Sequence, residues 1–140
     1  MATAIDTNII VGLWHDDPAV SGAVEAALEA AFRRGSLVVA APVFAELIAA
    51  PGRTEDFVNA FLSENRIAID WNLEESIWRA AGRAFQAYAE RRRSQGDQGT
   101  RRLLADFLIG AHAQVRGYRL LSLDERVYRA AFPELKVETV

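Results

Sequence analysis

The chain has 140 residues, is 51% hydrophobic, carries a net charge of −3 and contains no cysteine. That length and apolar content predict a single domain, 1–140, with a core of its own. The missing thiols exclude a disulfide scaffold, a thiolate metal site and a cysteine nucleophile, and they suit a reducing cytoplasm. The amino terminus lacks the basic flank and apolar run of a signal peptide. The longest apolar stretch, Leu37 to Ala45, falls far short of the roughly 18 residues a membrane span needs. A soluble, cytoplasmic protein is expected.

In chain order, Ala4-Ile5 leads into Asp6 as a short buried strand. Asp6-Thr7-Asn8 is strand-ending and helix-capping chemistry, and Ile9, Ile10, Leu13 and Trp14 follow at helical spacing. Asp16-Asp17-Pro18 opens a helix to about Arg34, with Val20, Val24, Ala27, Leu28 and Ala31 on one face and Gly35 as its stop. Leu37 to Ala41 reads as a parallel strand buried on both sides. Pro42 starts a helix carrying Phe44, Leu47 and Ile48 and ending at Pro51-Gly52.

Thr54 to Ser63 predicts an amphipathic helix and Arg66 to Trp71 a third strand. A long helix, about Leu73 to Arg92, presents Ile77, Ala81, Phe85 and Tyr88 and ends in the basic run Arg91 to Arg93. Ser94 to Thr100 is a polar loop. Leu103 to Val115 forms a mostly buried helix closed by Gly117, Tyr118 to Leu123 a fourth strand, Asp124 to Ala131 a short helix, and Leu135 to Thr139 the last strand. Strands alternating with helices give an α/β sandwich on a mostly parallel sheet.

Four acids stand out. Asp106 is the one charge between Leu103 and Ala111, Glu46 the one charge between Val38 and Ala50, and Asp6 and Asp124 each follow an apolar strand. Each has a plain structural reading, as a cap, an exposed helical acid or an ion pair with arginine. Crossover helices of a right-handed parallel fold start at the edge where strands end, so the topology gathers all four at one pocket. Clustered carboxylates share protons, pair with arginine or bind a hard cation. With two histidines and an all-oxygen set, Mg²⁺ or Mn²⁺ is the expected ion. Such an ion can acidify a water for in-line attack on a phosphodiester. His15 and His112 are read as structural, and Trp14, Trp71 and Trp78 as core.

Outside these four acids the chain carries +1, and its cations are arginines except Lys136. Arginine suits bidentate phosphate contacts, although a biased genome composition would give the same preference. Arg101 and Arg102, with Arg91 to Arg93, flank the loop that leads to Asp106 and are candidate phosphate contacts.

Ile5-Asp6-Thr7-Asn8, isolated Glu46, Ala105 to Ala113 around Asp106, and Leu120-Leu121-Ser122-Leu123-Asp124 with Tyr128 and Phe132 to Leu135 together resemble the PIN-domain ribonucleases, most closely the VapC-type toxins. The resemblance spans essentially the whole chain. It implies a three-layer α/β/α sandwich and a Mg²⁺- or Mn²⁺-dependent endoribonuclease. Asp6, Asp106 and Asp124 would then hold the metal, with Glu46 completing the set and orienting the attacking water.

The same resemblance implies an RNA substrate, for which Thr7, Asn8, Ser122, Arg101 and Arg102 are the candidate contacts, the two arginines from their place beside the loop and open also to an antitoxin tail. It also implies a homodimer, a VapB-type antitoxin and a heterotetramer or larger complex with it. Ser122 stands where the family commonly has threonine. Glu125 and Arg126 stand where some members carry a further acid. A competing reading is an acidic-pocket phosphoacceptor or interaction module without nuclease activity, with Lys136 in its last strand.

Overall fold

The computed structural model of the protein describes residues 1–96 and 103–140. Five short strands form one sheet: β1 (Thr3–Ile5), β2 (Leu37–Ala40), β3 (Ile67–Asp70), β4 (Arg119–Leu121) and β5 (Val137–Glu138). Their order is β3-β2-β1-β4-β5 and every pair is parallel, so the sheet expected to be mostly parallel is wholly so. The chain builds outward from β1 through β2 to β3, then returns to the other side of β1 for β4 and β5. The two halves therefore diverge between β1 and β4, which is where open α/β sheets leave a crevice beyond the strand ends.

Seven helices among the described residues flank the sheet: α1 (Thr7–Leu13), α2 (Pro18–Arg34), α3 (Ala41–Ala49), α4 (Glu55–Glu64), α5 (Glu75–Ser94), α6 (Leu104–Arg116) and α7 (Glu125–Ala131). The result is the three-layer α/β/α sandwich. Local chemistry sets their ends. Asp17 Oδ1 accepts from Ala19 N at 2.9 Å ahead of Pro18, and Thr54 Oγ1 accepts from Phe57 N at 3.1 Å. Gly117 closes α6 in the left-handed region at φ 75°, a conformation that a Cβ disfavours.

The core runs along the sheet through Ile5, Val39, Leu120 and Leu121. It continues into Ile9 and Ile10 of α1, Val43 and Leu47 of α3, and Phe107, Ile109 and Ala111 of α6. The α5 and α6 helices form an antiparallel hairpin. Glu74 pairs with Arg116 at one end, and Phe85 and Tyr88 pack on Phe107 at the other, 4.8 Å and 5.4 Å between ring centres. The basic end of α5 thus lies beside the start of α6.

The α6 helix is mostly buried as expected, from Phe107 to Ala113, while Leu103 and Leu104 ahead of that stretch are exposed. The expectation that Trp71 and Trp78 belong to the core fails. Both are exposed, at 60% and 48%; Trp71 follows edge strand β3 and only leans edge-on against Phe44. Trp14 is partly buried against Phe57 and Phe61. No helix among the described residues is long and apolar enough to cross a membrane.

Candidate active site

At the divergence of the two sheet halves lies a cleft of about 340 Å³, lined by Asp6, Thr7, Asn8, Val11, Glu46, Asp106, Asp124, Val127 and Tyr128. The four acids singled out in the sequence therefore meet, delivered by four separate parts of the fold. Asp6 ends β1 and is the N-cap of α1; Asp124 follows β4 at the start of α7; Glu46 and Asp106 sit on α3 and α6. Pairing of Ile5 with Leu121 puts Asp6 level with Ser122, and Asp6 N donates to Leu121 O at 3.0 Å.

Asp6 is buried, with 6% of its surface exposed. Its Oδ1 accepts from Thr7 N at 2.8 Å, and its Oδ2 accepts from Ser122 Oγ at 2.7 Å and Tyr128 OH at 2.8 Å. Burial pushes its carboxyl above the usual aspartate range. The bonds from Ser122, Tyr128 and Thr7 oppose that rise, and the Asp106 charge adds to it. Tyr128, itself buried, is pushed far above the ordinary phenol range by burial and by the neighbouring Asp6, Asp106 and Glu46 charges, so it remains a neutral donor.

The surrounding residues hold this arrangement. Thr7 Oγ1 donates to Glu46 Oε1 at 2.5 Å, tying the start of α1 to α3. Asn8 clamps the turn after β4, its Oδ1 accepting from Leu123 N at 3.0 Å and its Nδ2 donating to Ser122 Oγ at 3.3 Å. Ser122 Oγ also accepts from Asp124 N at 3.0 Å. Asp106 is the third residue of α6, and its Oδ2 accepts from Leu103 N at 3.3 Å, the half of a capping box that does not need a polar cap residue.

Ser122, expected among the substrate contacts, is fully buried: its hydroxyl goes to Asp6 and so supports the acid instead of facing the cleft. Thr7 and Asn8 do line the cleft, with their polar groups engaged as described. Arg101 and Arg102 lie outside the described residues. Tyr128 carries part of the family resemblance but is absent from the site residues expected from the sequence. The signal was available: it lies four residues after Asp124, hence on the same side of a helix.

The histidines stand apart from the cleft, as expected. His112 is fully buried with Nε2 2.9 Å from Asp70 Oδ2, while Arg116 Nε donates to the same oxygen at 3.1 Å. His15 Nδ1 accepts from Asp17 N at 3.1 Å beside the α2 cap. Lys136 lines a different hollow with Met1, Gly117 and Tyr118, which removes the basic partner from the phosphoacceptor reading.

The donors suit a hard divalent cation. Four carboxylates and the three neutral oxygen-bearing side chains of Thr7, Asn8 and Tyr128 line one opening, no described lining residue is basic, and the Asp106 charge adds to the rise in the Asp6 pKa. Although the four acids line one cleft, among the described residues no three histidine or acid side chains stand close enough together to hold a metal ion as they are. Between them Thr7 N, Ser122 and Tyr128 leave Asp6 one of about four acceptor positions, on Oδ1.

A family model described as PIN domain matches residues 3–133. No curated protein sequence matches the chain significantly. Among solved structures, VapBC2 from Rickettsia felis, bound to a DNA fragment from its promoter, aligns at TM-score 0.69 and 19% identity, covering 99% of this chain and 98% of that one. VapBC-1 from nontypeable Haemophilus influenzae aligns at 0.68 and 19%, with the same coverage. FitAcB from Neisseria gonorrhoeae aligns at 0.65 and 20%, covering 96% and 95%. At such identities the likeness is one of fold.

Proposed function

The chain belongs to the PIN-domain family, and on that premise we propose that it is the toxin of a toxin–antitoxin pair, an endoribonuclease dependent on Mg²⁺ or Mn²⁺. The observation that carries this reading is the meeting of Asp6, Glu46, Asp106 and Asp124 in one cleft at the divergence of β1 and β4. Independent caps and surface acids have no physical reason to converge there. The similarity to VapBC and FitAcB assemblies supports a cognate VapB-type antitoxin as partner. The reading also gives the chain a single PIN domain, a cytoplasmic RNA substrate, and a homodimer that becomes a heterotetramer or larger with antitoxin.

Asp6, Asp106 and Asp124 would hold the cation, with Glu46 completing the set. Bound there, Mg²⁺ or Mn²⁺ supplies positive charge to the scissile phosphate and lowers the pKa of a water. The remaining work falls to the chain. Glu46, steered by the Thr7 hydroxyl, orients the attacking water and accepts its proton. Asp6 is kept from turning by three donors. Asn8 and Ser122 fix the turn that carries Asp124. Arg91 and Arg93, exposed near the end of α5, are candidates to meet RNA phosphates.

The test is cleavage of total cellular RNA by purified, antitoxin-free wild type and Asp106→Asn, with Mg²⁺, Mn²⁺ or chelator. Fragments that require metal and vanish in the variant are expected. A folded wild type that leaves every RNA intact with either metal would overturn the reading. Expression without antitoxin gives a second readout: growth arrest should be abolished by Asp6→Asn.

A further inference from the structure

The phenol of Tyr128 is buried in the core, yet it ends on a carboxylate and not on a backbone group. Its hydroxyl donates to Asp6 Oδ2 at 2.8 Å, the same oxygen that takes the Ser122 hydroxyl at 2.7 Å. Oδ1 takes Thr7 N at 2.8 Å. A carboxylate offers about four acceptor positions, two on each oxygen. Both positions on Oδ2 are filled and one on Oδ1 is left. Tyr128 also follows Asp124 by one turn, so α7 brings one acid to the cleft through its N-terminus and grips a second through its interior.

We propose that Tyr128 is a positioning residue: together with Ser122 it occupies Oδ2 of Asp6, so that Asp6 addresses the cleft, and any cation in it, through Oδ1 alone. The inference rests on the nuclease reading and assigns a task to a residue that the four-acid description leaves out. Packing does not require the hydroxyl, since a phenylalanine would fill the same space. What the hydroxyl adds is a fixed donor that water cannot replace at a buried position.

The experiment is Mn²⁺ binding, measured directly by calorimetric titration without RNA, for wild type, Tyr128→Phe, Ser122→Ala, Asp6→Asn and the double variant Asp6→Asn/Tyr128→Phe. Loss of a hydrogen-bond partner behind a metal ligand typically weakens binding about 10- to 100-fold. Tyr128→Phe should therefore raise the Mn²⁺ Kd about tenfold in a protein that remains folded, with a thermal midpoint lowered only by the loss of one buried hydrogen bond. In the Asp6→Asn background the same replacement should change nothing further, because the hydroxyl acts through Asp6.

Equal Kd values for Tyr128→Phe and a wild type that binds Mn²⁺ and cleaves RNA would overturn this inference alone. A wild type that binds no Mn²⁺ would overturn the nuclease reading and this inference with it. If Tyr128→Phe does not fold, the wild type carries the test by nuclear magnetic resonance. The Tyr128 hydroxyl proton should stay hydrogen-bonded and slow to exchange through Mg²⁺ saturation, and its loss on adding Mg²⁺ would overturn the proposal.

Discussion

Thr7 and Glu46, thirty-nine positions apart in sequence, share a 2.5 Å hydrogen bond that joins the first turn of α1 to the body of α3. The bond aims Glu46 into the cleft, where a long carboxylate side chain would otherwise sample several rotamers. Hydrogen bonds to a charged group are worth about 1.5–3 kcal/mol when removed, and this one is only partly buried. Thr7→Val keeps the branched shape and deletes the donor. It should lower the RNA cleavage rate about tenfold, equivalent to about 1.4 kcal/mol of barrier. Unfolding stability should change by less than about 1 kcal/mol. Single-turnover cleavage and urea unfolding check the two halves, and an unchanged rate would release Glu46 from this control.

Asp6 should be more expensive to the fold when charged than when neutral. Its folded pKa is raised, chiefly by burial, so the folded state holds the proton more tightly than the unfolded chain does. Stability from this residue is therefore fully present at pH below its ordinary aspartate value and is lost as pH rises through the raised one. Asp6→Asn removes the titration. Relative to wild type it should gain stability on going from pH 3.5 to pH 7 while losing cleavage, the trade-off expected at an active site. Urea unfolding across that range decides it: a constant difference between the two proteins would contradict the raised pKa.

The Asp70, His112 and Arg116 cluster makes a prediction of opposite sign. Burial lowers the His112 pKa below 6.5, against the pull of Asp70 and with a smaller push from Arg116. The unfolded chain then takes up a proton that the folded one refuses, so stability falls as pH drops through about 6.5 towards the lowered folded value. Burial alone would raise Asp70, but bonds from His112, Asn72 N and Arg116 outweigh it and hold it low, so its own contribution is lost only in more acid solution. Between pH 7 and pH 5, wild type should lose stability that His112→Leu does not. Asp70→Ala, which strands the buried His112 imidazole and takes one of several partners from Arg116, should cost about 1–3 kcal/mol at pH 7.

Gly110 marks a close approach between α6 and the segment after α7. A Cβ there would fall 2.3 Å from Phe132 Cε2 and 2.6 Å from Cδ2, inside contact distance of a buried ring. Gly110→Ala should destabilise by about 1–3 kcal/mol through overpacking, despite alanine's better helix propensity. Adding Phe132→Leu should recover part of the loss, so that the double variant is more stable than the sum of the single ones. Strict additivity in thermal unfolding would show that the ring does not meet the new methyl group.

The elements were legible because their signals are local. Apolar runs of strand length, Asp17-Pro18 and Thr54 at helix starts, and Gly117 at a helix end each act within a few residues, and the helix and strand order follows them. The four acids were legible for a related reason. An isolated charge in an apolar segment is anomalous wherever the segment goes, and right-handed parallel topology sends strand ends and helix starts to one edge. The family resemblance rested on those same positions.

The class of fold, the order of its elements and the four carboxylates that share an edge are all encoded locally, since periodicity, capping and chain handedness need no long-range partner. Tertiary structure alone decided the entirely parallel strand order, the exposure of Trp71 and of the first turn of α6, and the burial of Ser122. It also decided that Tyr128 completes the hold on Asp6. Each of these depends on which surfaces meet across more than a hundred residues of chain or at the margin of the sheet. The side chains concerned, an aromatic ring or a hydroxyl, look the same in sequence whether they fill a core, face solvent or hold an acid.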